Sequence, residues 1–167
     1  MGRARPRPPS DRRTTIRLYL LAIGRLRRGP LHDVQALYAG RLAPPVTIIE
    51  LEEKRPLPPA TLKLREAELI LAARPAGARL VALDRTGAAW TSRDFADRLA
   101  AWRDGGAAAI AFAIGGAEGL GSAVIGEADA VISLGPMTWP HLFARSMLLE
   151  QLYRAQQIQA GHPYHRN

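Results

Sequence analysis

Apolar positions along this chain fall in short blocks that alternate between two spacings. Residues 16–23 (IRLYLLAI) are dense in Leu, Ile and Tyr and end at Gly24, the pattern of a first strand. Leu31, Val34, Leu37, Tyr38 and Leu42 recur at helical spacing, and Pro44-Pro45 stops that helix. Residues 46–51 (VTIIEL) are β-branched and predict a second strand, followed by a charged, proline-broken loop over 52–59. Thr61 is placed to cap a helix that runs to about Ala73 and is closed by Pro75 and Gly77.

The alternation continues to the end. Residues 79–84 (RLVALD) predict a short buried strand, with a turn at Thr86-Gly87. Thr91 or Ser92 caps the next helix, with Asp94 in its first turn, Asp104 near its end and Gly105-Gly106 closing it. Residues 107–114 (AAAIAFAI) are continuously apolar between glycines, as a strand covered on both faces requires. A short helix over 119–127, a strand over 130–134 and a last helix from about Pro140 to Ala160 complete the order. Strand and helix in turn, with apolar strands, predict an α/β fold: a parallel sheet with helices on both faces.

Length and charge refine this picture. At 167 residues the chain predicts one domain over 16–167. Residues 1–28 hold nine arginines against one acid, Asp11, and so carry the whole formal net charge of +8. The rest holds 14 basic and 14 acidic residues, so a nucleic-acid argument from charge concerns the N-terminal segment, not the body. Residues 1–15 combine three prolines, five arginines and Met1 as their one large apolar side chain; they read as a basic disordered tail or a mis-assigned start. Arg12-Arg13 ahead of an apolar stretch has the form of a twin-arginine export signal, but the stretch is short and no small-residue cleavage site follows, so a first strand is the better reading. No apolar segment approaches the length of a membrane span, about 18 residues. The absence of cysteine excludes disulfides, a thiolate nucleophile and thiolate-bound metal, and fits a reducing cytoplasm.

The chemistry gathers in the C-terminal third. A glycine loop, Ile114-Gly115-Gly116-Ala117-Glu118-Gly119-Leu120, follows a predicted strand, where missing side chains let backbone N–H groups approach a ligand. It lacks the G-x-G-x-x-G spacing of a dinucleotide fingerprint and any Walker lysine. Next come Ser133-Leu134-Gly135-Pro136-Met137-Thr138-Trp139-Pro140-His141, then a helix with Arg145, Glu150 and Tyr153, then His162-Pro163-Tyr164-His165-Arg166-Asn167. His141 and Arg145, four apart, share one helical face. Asp84 ends a strand, where a turn-forming role is the simpler one. Glu118 either meets a ligand or faces solvent.

Together these segments resemble the RlmH-type enzymes of the SPOUT methyltransferases, from about Ile16 to the last residue. The resemblance implies an α/β fold with a C-terminal trefoil knot, S-adenosyl-L-methionine as cofactor, and methylation of N3 of a pseudouridine in 23S ribosomal RNA within the assembled ribosome. It implies a cofactor site at Leu83, Gly115, Leu134, Gly135, Pro136, Met137, Thr138 and Trp139, and a catalytic set of His141, Arg145, Tyr164, His165 and Arg166. It also implies a cytoplasmic homodimer with no metal and no membrane attachment, whose C-terminal tail reaches the cofactor pocket where substrate and partner subunit meet. The chain departs from the family pattern at Ala117, where proline is usual, and at Pro136 and Trp139. Pro136 removes one N–H donor from its loop.

The chemistry asks for such residues. An imide N3–H shares its lone pair with two carbonyls and is a poor nucleophile until deprotonated. A neutral histidine, His141 or His165, can take that proton, as can solvent. A permanently charged arginine, Arg145 or Arg166, can stabilise the anionic ring or grip phosphate, and Tyr164 or His165 can stack on or hydrogen-bond the base. The last helix is apolar at 142, 143, 147, 148, 149, 152 and 155, a stripe that serves either the core or a two-fold interface. Arg25, Arg27, Arg28 and the tail arginines can hold ribosomal RNA through a salt-sensitive term. Two other functions fit the same fold: a SPOUT enzyme acting on a ribose 2′-hydroxyl or another base, and a non-catalytic ribosome-binding protein.

Overall fold

The computed structural model describes residues 15–165. Five parallel strands stand in the order β2-β1-β4-β3-β5. They are β1 (Arg17–Ile23), β2 (Val46–Leu51), β3 (Arg79–Ala88), β4 (Ala109–Ile114) and β5 (Ala130–Ile132), connected through α1 (Pro30–Arg41), α2 (Pro59–Ala73), α3 (Ser92–Asp104) and α4 (Ser122–Glu127). Helix α5 (His141–Gln159) and a short 3₁₀ turn, Pro163–His165, follow β5. The expected parallel α/β architecture is therefore present.

Strand periodicity sorts the side chains to two faces. Leu18, Leu20 and Ala22 of β1 join Ile110, Phe112 and Ile114 of β4 beneath α3 and α5, with Phe95, Leu99, Leu148 and Leu152. Leu21 and Ile23 join Ala109, Ala111 and Ala113 on the opposite face, beneath Ala67 and Ile70 of α2 and Val124 of α4. The central strand β4 thus offers bulky residues to one layer and alanines to the other, so α2 and α4 lie close to the sheet. All six of its residues are buried.

Helix α3 begins as its sequence predicts. The Thr91 hydroxyl accepts from the Asp94 N–H at 3.1 Å, and the Asp94 carboxylate accepts from the Thr91 N–H at 3.1 Å, closing a capping box. Thr91→Ala is expected to cost about 1 kcal/mol, read as a fall of roughly 3 °C in the melting temperature.

Three local expectations are corrected. Helix α2 starts at Pro59 with Pro58 as its N-cap, so Thr61 lies inside the first turn; two prolines preset the entry where N–H donors would go unpaired. Thr86-Gly87 is not the end of β3. The strand runs on to Ala88, with its register against β5 shifted between Leu83 and Ala88. Helix α4 starts only at Ser122, because Gly119 holds φ +75° and Gly121 is the extended N-cap.

Candidate cofactor and substrate cleft

Ligands of open α/β sheets bind outside the carboxyl ends of the strands, and a cleft of about 1080 Å³ opens there in this fold. Its walls are the second half of β3 (residues 83–86), the glycine loop (114–120), part of α4, and residues 133–135 and 137–141. Of the predicted cofactor residues, Leu83, Gly115, Leu134, Gly135, Met137, Thr138 and Trp139 line this one cleft; Pro136 does not. His141 lines it too.

Each wall has a local cause. At Gly115 a Cβ would lie 2.5 Å from the Gly119 carbonyl carbon, so only glycine lets the loop fold back on itself, which it does through a bridge between Gly116 and Gly119. Within β3 the Asp84 carboxylate accepts from the Thr86 N–H at 2.9 Å and the Thr86 hydroxyl at 2.6 Å, a local bond beside the register shift and not a chain turn. The Ser133 hydroxyl donates to the Gly135 carbonyl at 2.8 Å and accepts from the Gly135 N–H at 3.1 Å. The Trp139 indole N–H donates to the Leu134 carbonyl at 3.3 Å, which fixes an exposed ring at the cleft's rim.

His141 is the first residue of α5 and is half-buried. Burial, and after it the Arg145 charge, hold its imidazole below the ordinary histidine range. It is therefore neutral near pH 7 and able to accept a proton.

Arg145 is engaged inside the fold. Its side chain is fully buried: Nη2 donates to the Ile23 carbonyl at 2.9 Å and the Gly24 carbonyl at 2.7 Å, and Nη1 donates to Glu50 Oε1 at 3.2 Å. That guanidinium ties α5 to the ends of β1 and β2 and is not a wall of the cleft. Burial pulls its pKa down while Glu50 acts against the shift. Glu50 also accepts from the Leu26 N–H at 3.2 Å, so the same carboxylate sets the loop that carries Arg25, Arg27 and Arg28.

Tyr164 lies elsewhere. Its ring meets Tyr153 edge-on at 4.8 Å between centroids, the Arg154 guanidinium sits 5.1 Å from its centre, and its hydroxyl donates to Glu150 Oε1 at 3.3 Å. Burial, then Glu150 and Tyr38, raise its pKa. This anchor is on the α1–α5 side, and among the described residues the cleft walls include none beyond Ala144. The His165 side chain, Arg166 and, apart from Thr15, the basic tail expected over 1–15 lie outside the described residues.

Sequence reasoning passed over Lys63 and Arg85, which also line the cleft. Lys63 comes from α2, far away in sequence, and no motif marks it. Arg85 sits beside Asp84, where the reading stopped at a turn. No group of three or more metal-binding side chains occurs among the described residues, and among them no helix is long and apolar enough to cross a membrane.

The parallel α/β fold is shared with solved structures named as probable methyltransferases. A probable methyltransferase from Bordetella pertussis aligns with 84% of this chain and 96% of its own at TM-score 0.54 and 14% identity, and a probable methylase family protein from Haemophilus influenzae with 91% and 70% at TM-score 0.52 and 14% identity; both are likenesses of fold. The family model described as predicted SPOUT methyltransferase matches residues 16–165. The chain belongs to the SPOUT methyltransferase family. Within it the chain is similar to proteins named ribosomal RNA large subunit methyltransferase H: 54% identical to that of Rhodospirillum centenum and 52% to that of Paramagnetospirillum magneticum, each over 90% of this chain and 99% of the relative.

Proposed function

We propose that this protein methylates large-subunit (23S) ribosomal RNA, with S-adenosyl-L-methionine as methyl donor and N3 of a pseudouridine in the assembled ribosome as acceptor. The observation that carries the reading is the convergence of three segments, at Leu83, Gly115 and residues 134–135 and 137–139, on one cleft with a neutral His141 at its edge. Backbone groups of these loops hold the donor, within the trefoil knot expected of this family. Bound there, S-adenosyl-L-methionine would supply an electrophilic methyl group on a good leaving group, and the chain's own task would be to take the ring N3 proton. His141 is positioned to be the base that does so. The alternatives, another RNA target or a ribosome-binding role without catalysis, keep the same cleft.

The active unit is a homodimer. Val34 of α1 and Phe143 of α5, 39% and 47% exposed, line an apolar groove of about 630 Å³. That groove shares Ser133, Leu134 and Gly135 with the cofactor cleft, so a partner laid on this face abuts the ligand loop. Tyr164, His165 and Arg166 then serve the partner's cleft, at a site in the cytoplasm where ribosomes are found. Phe143→Glu is expected to yield a monomer with little methyl transfer, checked by sedimentation beside the activity assay.

The function itself is tested by methyl transfer from labelled S-adenosyl-L-methionine to ribosomes that lack the modification, with the product nucleoside identified by mass. Label in 3-methylpseudouridine of 23S RNA is expected. Label in another nucleoside moves the target, and donor binding without transfer to any ribosomal particle supports the non-catalytic role.

A further inference from the structure

Helix α2 passes beneath the glycine loop, and one residue on it has no evident structural purpose. Glu66 is 8% exposed, next to Ala67 and Ile70 of the apolar layer. Its Oε2 is sealed from solvent and meets no hydrogen-bond donor among the described residues. Burial, and after it the Glu118 carboxylate of the loop above, push its pKa up from the ordinary carboxylate value.

The contact with the loop is close. A Cβ on Gly116 would stand 3.2 Å from both Glu66 carboxyl oxygens and 3.0 Å from Ile23 Cγ2. A Cβ on Gly121 would stand 2.8 Å from Ala67 Cβ and 3.1 Å from the Lys63 carbonyl. One helical face, Lys63, Glu66 and Ala67, is thus the seat of the loop, and Lys63 reaches the cleft itself. An apolar side chain would fill the seat at lower cost, because a buried polar group without a partner destabilises the fold. Such costs persist where function uses the group.

We propose that Glu66 is a positioning residue for the methyl donor: a buried hydrogen-bonding group that fixes the backbone of the glycine loop in the shape the bound donor requires. The inference rests on the reading of the cleft given above. Glu66 touches no reacting atom. Its carboxyl can accept from a loop N–H and, when protonated, donate to a loop carbonyl, whichever the donor-bound loop turns toward it.

The test uses the full chain, with S-adenosyl-L-methionine binding measured by calorimetry and methyl transfer measured at saturating donor. Glu66→Ala is expected to raise the Kd about tenfold while kcat stays within about threefold, the pattern of lost ground-state positioning. Glu66→Gln, which keeps both shape and hydrogen bonding, is expected to recover most of the affinity. Gly116→Ala is expected to weaken donor binding in the wild-type background and to cost clearly less beside Glu66→Ala, because the two substitutions act on one contact. Unchanged donor affinity in Glu66→Ala overturns the proposal, as does a Glu66→Gln no better than alanine. If Glu66→Ala does not fold, Gly116→Ala decides: donor binding equal to wild type overturns the proposal. Failure of the wild-type protein to bind the donor would instead remove the functional reading beneath it.

Discussion

Arg145→Ala is expected to lower the melting temperature by roughly 10 °C and to abolish methyl transfer as a consequence. The guanidinium has no exposed surface, and its two Nη2 bonds satisfy the carbonyls of Ile23 and Gly24 where β1 ends. Alanine leaves those carbonyls without charged donors and leaves Glu50 without its partner. Glu50 keeps 30% of its side chain exposed and can rehydrate, which limits the loss to about 3 kcal/mol. Arg145→Lys keeps the charge but not the planar fork that reaches two carbonyls and a carboxylate together, so it is expected to restore only part of the stability. Thermal melts with and without S-adenosyl-L-methionine check this. A variant that melts like wild type yet transfers no methyl group would return Arg145 to direct work on the substrate.

The same residue shows where the chain could be read and where it could not. The i, i+4 spacing placed His141 and Arg145 on one face of α5, and both side chains do face Gly24: a Cβ there would lie 3.6 Å from His141 Nε2 and 3.8 Å from Arg145 Nη2. Spacing could not show that one of them would be consumed by backbone carbonyls 121 and 122 residues away in sequence. The strands were legible because β1 and β4 are apolar on both faces, and α3 because its capping box is local. Helix α2 was misplaced at its start because Thr61 is a plausible cap and Pro58-Pro59 is an equally good helix entry. The loops of the cleft were legible through glycine and motif order. Their support from below, Lys63 and Glu66, was not, because α2 carries no local mark of what it will lie against. Tyr164 stands beside Tyr153 and Glu150 of its own chain, so its proposed place at a cleft belongs to the dimer and not to the single chain.

Histidine at position 141 is expected to carry the largest single contribution to the chemical step. His141→Gln should reduce kcat/KM by about 10²–10⁴-fold with donor affinity little changed, because the proposed donor site is built of loop backbone and not of the imidazole. The pH profile gives the sign. Burial and the Arg145 charge both disfavour the imidazolium, so the folded pKa lies below the ordinary value of about 6.5. The rate should therefore rise with pH along an acid limb whose midpoint is below that value, and His141→Gln should remove the limb. Stability should move the same way. Between the two pKa values the unfolded chain binds more protons than the folded one, so stability contributed by this site is present above about pH 6.5 and lost as pH falls toward the folded pKa. A His141→Gln enzyme that keeps both its rate and its acid limb would shift the proton to solvent or to His165, and with it the centre of the reaction from helix α5 to the tail.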